Sequence, residues 1–339
     1  MTTDLKLGLY EQLVTRELED VLRAVDQTRL AIDRAQLDPA DAHVALARHL
    51  HQVLERVLKA LPEHERLNQQ LLLCNAILDR LREVAPPAAS PEPGELVASP
   101  PAELRAVHQV AALPAGTATR VPRPIVPLSA SGLLVNARGE PGVGHALQQE
   151  IPSADSIDVL CAFVRWNGLR LLDSALHAHC ERGRPLRVLT TTYIGATERR
   201  ALDRLVSIGA QVRVSYDTRS TRLHAKAWLF NRETGFSTAY VGSSNLSHSA
   251  LLDGLEWNVR LSQVASPELV EKFRATFESY WEDPEFEPYD PARDAGRFDR
   301  AVAGESATQA LAFLSLDVVP YPHQREILER PRFGLGASL

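Results

Sequence analysis

The chain has 339 residues, 45% hydrophobic and 24% charged, which supplies enough apolar material for a core and a length that points to two domains rather than one. Its formal net charge of -6 excludes a protein that coats nucleic acid nonspecifically over its whole surface, while leaving room for a local basic site. The three cysteines, Cys74, Cys161 and Cys180, are too few and too scattered for a disulfide framework or a zinc knuckle. No signal-peptide pattern opens the chain and no apolar run reaches the length of a membrane span, so a soluble cytoplasmic protein with no membrane partner is expected.

From Leu5 to about Val84 the apolar residues recur at helical spacing with charges on the other face, and Asp38-Pro39 marks a fresh helix start. Residues 1–84 are therefore predicted to be a helical domain built as a small bundle. His43, His49, His51 and His64 fall in it without an acidic partner at ligand spacing, so they read as helix-surface residues and no metal site is expected. Residues 85–128 are rich in Pro, Ala and Ser, cannot build a core, and read as a linker.

A second domain is expected over 129–285. "SIDVLCAFV", "PLRVLTTTY" and "QVRVSYD" are strand patterns, separated by "GLRLLDSALHAHCERG" and "TERRALDRLVSIG", two helix patterns that stop at Gly183 and Gly209. Thr197 is the expected N-cap of the second. This β-α-β-α-β alternation predicts an α/β fold with a mixed, mainly parallel sheet flanked by helices. "LHAKAWLF", "STAYVGSSN" and "LEWNVRL" add three strands, and "SPELVEKFRATFESYWED" an amphipathic closing helix. Residues 286–339 read as an acidic linker followed by a further segment, "VVPYPHQREILER".

The chemistry concentrates in the later strands. Side chains alternate along a strand, so His224 and Lys226 share a face of an otherwise apolar segment. A lysine there is costly unless it meets an anion or a carboxylate. Downstream, Gly242 permits close backbone approach, Ser243 and Ser244 offer hydroxyls and Asn245 an amide, a turn suited to phosphate oxygens. Glu256 stands at the next strand start, where it could orient a histidine. From Arg182 to Lys226, ten basic residues stand against three acidic ones, and Arg213, Arg219 and Arg222 approach the motif; Arg199, Arg200 and Arg204 read as a solvated helix face. "TTTYIGAT" at a strand's carboxyl end is either a phosphate contact or a hydrogen-bonded turn. His248 reads as an exposed loop histidine.

In this order, His224-x-Lys226, then Gly242-Ser243-x-Asn245, then Glu256, the chain resembles the phospholipase D superfamily, the HKD nucleases, over about Ser131–Trp281. The family's motif Asp is replaced here by Asn231, which puts efficiency in question more than chemistry. The wider stretch resembles the subgroup of domains fused ahead of bacterial superfamily-two DEAD/DEAH-type helicases, and Val318–Arg330 resembles the opening of a helicase core, with no Walker motif after it; an ordinary amphipathic tail is the alternative.

The resemblance implies a metal-independent phosphodiesterase or nuclease with no cofactor, acting on DNA or RNA through a phosphohistidine. His224, Lys226, Asn245 and Glu256 would be catalytic, and Gly242, Ser243, Ser244 and Arg222 would hold the substrate phosphate. One imidazole attacks phosphorus and a second, protonated one serves the leaving oxygen, so one motif per chain implies a homodimer with a composite site. A helicase is the implied partner. Two other readings stand beside this one: a nucleic-acid-binding module whose chemistry has decayed, and a phospholipid-acting enzyme.

Overall fold

The computed structural model describes residues 6–25, 30–107, 122–137, 142–217, 223–252 and 254–315. The chain divides into two compact units, Met1–Val107 and His108–Leu339.

The first unit is helical. Helix α1 (Arg16–Arg23) starts at Thr15, whose hydroxyl accepts from the Leu18 N–H at 3.3 Å. Helices α2 (Ala42–Ala60) and α3 (Arg66–Val84) follow, and neither contains a fully buried residue. The Pro-rich stretch read as linker folds back in part. Pro87–Ala89 and Pro93–Glu95 form single 3-10 turns, and the Asn75 side chain on α3 bonds both the N–H and the carbonyl of Val97 at 2.9 and 3.0 Å.

The second unit is an α/β fold. It runs β1 (Gly132–Val135), α4 (Val143–Glu150), β2 (Ser156–Cys161), α5 (Trp166–Glu181), β3 (Leu186–Thr191), α6 (Arg199–Ser207), β4 (Gln211–Ser215), β5 (Lys226–Asn231), β6 (Thr238–Gly242), α7 (His248–Leu252), β7 (Trp257–Ser262), α8 (Pro267–Glu282), β8 (Phe286–Pro288) and α9 (Pro291–Ser315). The strands form one mixed eight-stranded sheet in the order β1-β7-β6-β5-β2-β3-β4-β8. The β-α-β-α-β run supplies its parallel part, β2-β3-β4. The other pairings are antiparallel, so the sheet is mixed as expected, with parallel pairing in the minority rather than the majority. The reason is local: short connections such as the one joining β5 to β6 return the chain at once and leave no room for a crossover helix.

Strand alternation divides the core between two faces. Val159, Trp228, Phe230 and Tyr240 pack with Leu147 of α4, Leu169, Leu172 and Leu176 of α5, and Leu202 and Leu205 of α6. On the other face Leu160, Leu189 and Ala227 pack with Phe277 and Trp281 of α8. The expected helix stops Gly183 and Gly209 adopt φ of +72° and +99°, a left-handed backbone in which a side chain would be strained. Thr197 is not the cap of α6. Glu198 takes that position, and the buried Thr197 hydroxyl bonds the carbonyls of Ala162 and Thr191 instead.

Residues 286–315 are not a linker as far as they are described. Phe286–Pro288 pairs antiparallel with β4, and α9 buries Phe298 against Tyr289. Pro291 starts that helix, a position where its missing N–H costs nothing. The Val318–Arg330 stretch lies outside the described residues. Among the described residues, no helix is long and apolar enough to cross a membrane.

Candidate active site

Antiparallel pairing gathers the motif residues. Because β5 and β7 run against β2 and β6, the starts of β5 and β7 and the ends of β2 and β6 lie on one rim of the sheet. The register puts Lys226 opposite Cys161, Ala227 opposite Val241, and Gly242 opposite Asn258. Three segments far apart in sequence therefore meet: 224–226, 242–245 and 256–258.

Strand β5 is internal to the sheet, and Lys226 is its first residue. The Lys226 side chain is buried, whereas His224, two residues ahead, is exposed. Lys226 Nζ lies 2.8 Å from His224 Nδ1, 3.2 Å from Nε2 and 2.7 Å from the His224 carbonyl oxygen. An ammonium donates only to a ring nitrogen that carries no proton, so which of the two it bonds depends on the imidazole tautomer. Burial pulls the Lys226 ammonium below its ordinary pKa, against the opposing pull of the Glu256 carboxylate. The edge of Phe163 packs on the His224 ring at 5.7 Å between centroids and holds its orientation.

The Gly242–Asn245 turn is held from both sides. A Cβ on Gly242 would sit 2.5 Å from Asn258 Oδ1 and 2.7 Å from its Cα, closer than real Cβ atoms come, so only glycine lets β6 and β7 close here. Ser243 N–H donates to the Trp257 carbonyl at 3.1 Å, and the Trp257 N–H donates to Ser243 Oγ at 3.1 Å. The Ser243 hydroxyl donates to the Glu256 carboxylate. Glu256 is thus brought to the site, but its hydrogen bond orients a serine rather than the expected histidine. Ser244 is buried and accepts from Asn258 Nδ2 at 2.7 Å. The Asn245 Oδ1 atom is buried without a hydrogen-bond partner among the described residues. An unpaired amide oxygen costs stability unless another ligand meets it or the side chain turns. Arg222 lies outside the described residues, and His248 opens α7 on the surface.

Sequence reasoning missed the group beneath the turn. The Cys161 thiol accepts from the Leu246 N–H at 3.2 Å and so braces the residue after Asn245. Burial pushes that thiol up to about 11, which keeps it neutral and unreactive. The only signal available was its place at the end of an apolar strand. The "TTTYIGAT" stretch proves to be a hydrogen-bonded turn: Tyr193 N–H bonds Thr191 Oγ1 at 3.1 Å, and the Ile194 N–H points to Glu305 of α9 at 3.4 Å.

Asn231 sits at the other end of β5, five residues or about 16 Å of strand from Lys226. Its amide donates to Ser156 Oγ and to the buried Asp158 carboxylate at 3.1 and 3.0 Å, and its oxygen accepts from Arg274 Nε at 3.3 Å. An amide, not a carboxylate, satisfies that neighbourhood. Asn231→Asp is expected to destabilise the protein by about 1–3 kcal/mol, by removing the donor to Asp158 and facing it with a second carboxylate. Chemical denaturation measures that loss, and a rise in stability would contradict it.

Residues 147–281 match the family model described as cardiolipin synthase, PLD-like domain. Among solved structures, the chain is similar to the phospholipase D family member NUC from Salmonella typhimurium, at 20% identity and a TM-score of 0.36, over 47% of this chain and 99% of that one. It is similar to NucT from Helicobacter pylori at 14% identity and a TM-score of 0.37, again over 47% and 99%. It is also similar to TrmBL2, an archaeal chromatin protein, at 14% identity and a TM-score of 0.29, over 80% and 82%. No curated protein matches the chain in sequence.

Proposed function

We propose that the second unit is a metal-independent nuclease that cleaves DNA, with RNA as the other candidate polymer, through a phosphohistidine, and that it works beside a helicase. The observation that carries this reading is the convergence of His224, Lys226 and the Gly242–Asn245 turn on one rim of the sheet. An exposed imidazole, a buried ammonium and a turn rich in small polar groups form a cradle for one phosphate.

In this reading His224 attacks phosphorus, a P–N bond forms, and the P–O bond to the leaving strand breaks. Lys226 exchanges its bonds to His224 for the nonbridging oxygens, and the Asn245 amide joins it there. Glu256 fixes Ser243 and through it the turn, a positioning role. The leaving oxygen takes its proton from the same histidine of a second copy, since His224 is the one imidazole in the constellation. Water then attacks the phosphohistidine and releases the other strand end. A homodimer with one shared site follows. The position of Asn231, far along β5 from Lys226, argues against chemical decay as a consequence of the missing motif Asp.

The test incubates labelled single- and double-stranded DNA and RNA with the protein in EDTA, beside vesicles of anionic phospholipid. Cleavage of a polynucleotide with specific activity falling on dilution, as the mass halves in solution, is the expected result. Cleavage only of the phospholipid, or full activity from a monomer, overturns the reading.

A further inference from the structure

The surroundings of the Ser243–Asn245 turn are asymmetric, and the two sides carry different chemistry. On one side stands Trp257, 67% exposed and the most exposed aromatic side chain among the described residues. Its backbone is pinned to Ser243 by hydrogen bonds in both directions. On the other side stands Arg165, exposed, its N–H bonded to the Leu246 carbonyl at 2.9 Å. Ser243 and Leu246 are three residues apart, at most about 10 Å of chain. The stacking surface and the cation therefore flank the proposed phosphate cradle within the reach of adjacent nucleotides.

The cationic side continues. Arg200, on the first turn of α6, lies 4.1 Å above the ring of Trp166, the residue after Arg165. Its helix neighbours are spent elsewhere: Arg199 pairs with Asp203 and Asp299, and Arg204 with Asp173. Arg165 and Arg200 have no carboxylate partner among the described residues. Glu198, two residues before Arg200, accepts from the Trp166 N–H at 3.0 Å. Two unneutralised guanidiniums persist here on a chain whose net charge is -6, which fits a polyanion rather than an acidic or neutral protein surface.

We infer that this rim is a track for single-stranded nucleic acid, in which Trp257 stacks one unpaired base while Arg165 and Arg200 hold phosphates on the opposite side of the scissile one. The inference rests on the nuclease reading and specifies its substrate. A base must leave its duplex to lie flat on an indole, so Trp257 selects single strands, whereas the guanidiniums add affinity without sequence preference. Arg200 is held by Trp166 in the planar orientation that suits a phosphate or a stacked base.

The test measures binding of a labelled oligothymidylate of about 12 nucleotides, and of a blunt duplex, to the full chain carrying His224→Ala so that nothing is cut. Trp257→Ala in that background is expected to weaken oligothymidylate binding about 5- to 150-fold, Trp257→Phe much less, with duplex binding little changed. Arg165→Gln and Arg200→Gln are each expected to lower the slope of log affinity against log salt by about 0.7, a readout that a folding defect does not mimic. Unchanged affinity in Trp257→Ala, or equal loss for duplex and single strand, overturns the track. So does a drop from dimer to monomer in Trp257→Ala, which would assign the indole to a contact between copies. A protein that binds no polynucleotide at all fails the nuclease reading itself, whereas His224-dependent cleavage that ignores Trp257 fails the track alone.

Discussion

His224→Ala is expected to lower single-turnover cleavage by at least about 10³-fold in EDTA while leaving oligonucleotide affinity within a few-fold. The size follows from the role proposed for the imidazole. With no nucleophile the covalent path is closed, and only orientation and electrostatic stabilisation by Lys226 and the turn remain. The substitution is also a clean one. The His224 side chain is exposed and touches the Lys226 ammonium and the Phe163 ring, so about 1 kcal/mol of stability or less is at stake. A loss of rate with an intact fold therefore reports chemistry. Lys226→Gln makes the complementary test. Lys226 is buried, so its removal weakens phosphate binding as well as rate, and KM rises with the fall in kcat. Retained cleavage in His224→Ala would move the chemistry to another residue and leave the rim as a binding site.

Much of this rim was legible because its residues are local and periodic. The strands β2 to β7 follow apolar runs bounded by Gly and polar clusters, and the shared face of His224 and Lys226 follows from strand alternation alone. What stayed hidden depends on partners distant in sequence. Strand β1 is four residues and β8 three, one of them a proline, and each exists through pairing with a neighbour rather than through its own pattern. Helix α9 opens at a proline that reads as a breaker. The place of Glu256 at a strand start was legible, but its bond to Ser243 was not, since that depends on how closely Gly242 lets β6 approach β7. Cys161 braces Leu246 across 85 residues of chain, and Asn231 meets Asp158 across 73, distances over which residue type and spacing carry no signal.

The largest effect on stability is expected at a residue that no motif or spacing singles out. Glu150 ends α4 with its side chain fully buried. Its carboxylate accepts from Arg232 Nη2 at 2.5 Å, Arg260 Nε at 2.9 Å, the Tyr240 hydroxyl at 2.9 Å and the Thr238 hydroxyl at 3.0 Å. Both arginines are buried too, so one carboxylate faces two guanidiniums in a region without water to screen them. Arg260 spreads part of its charge onto the carbonyls of Pro127 and Ala130, at 3.0 and 2.5 Å, and Arg232 part of its own onto Phe236 at 3.1 Å. Tyr240's own burial and the Glu150 carboxylate together push its phenol well above the ordinary range, so it stays a donor. Glu150→Ala strips the one anion and leaves two cations and two hydroxyls without their acceptor. The expected cost is about 3–5 kcal/mol, the range for breaking a buried pair rather than replacing it whole. Glu150→Gln keeps an acceptor for two of the donors and is expected to cost less. In urea the Glu150→Ala midpoint should fall by roughly 1–3 M with the slope unchanged. The site should suffer with the fold, because Tyr240 lies two residues before Gly242 on β6 and Arg260 two after Asn258 on β7, the strands that carry the turn. A shift under about 1 kcal/mol would mean that the guanidiniums find other acceptors, and that Glu150 sets the packing of α4 on the sheet without supplying its stability.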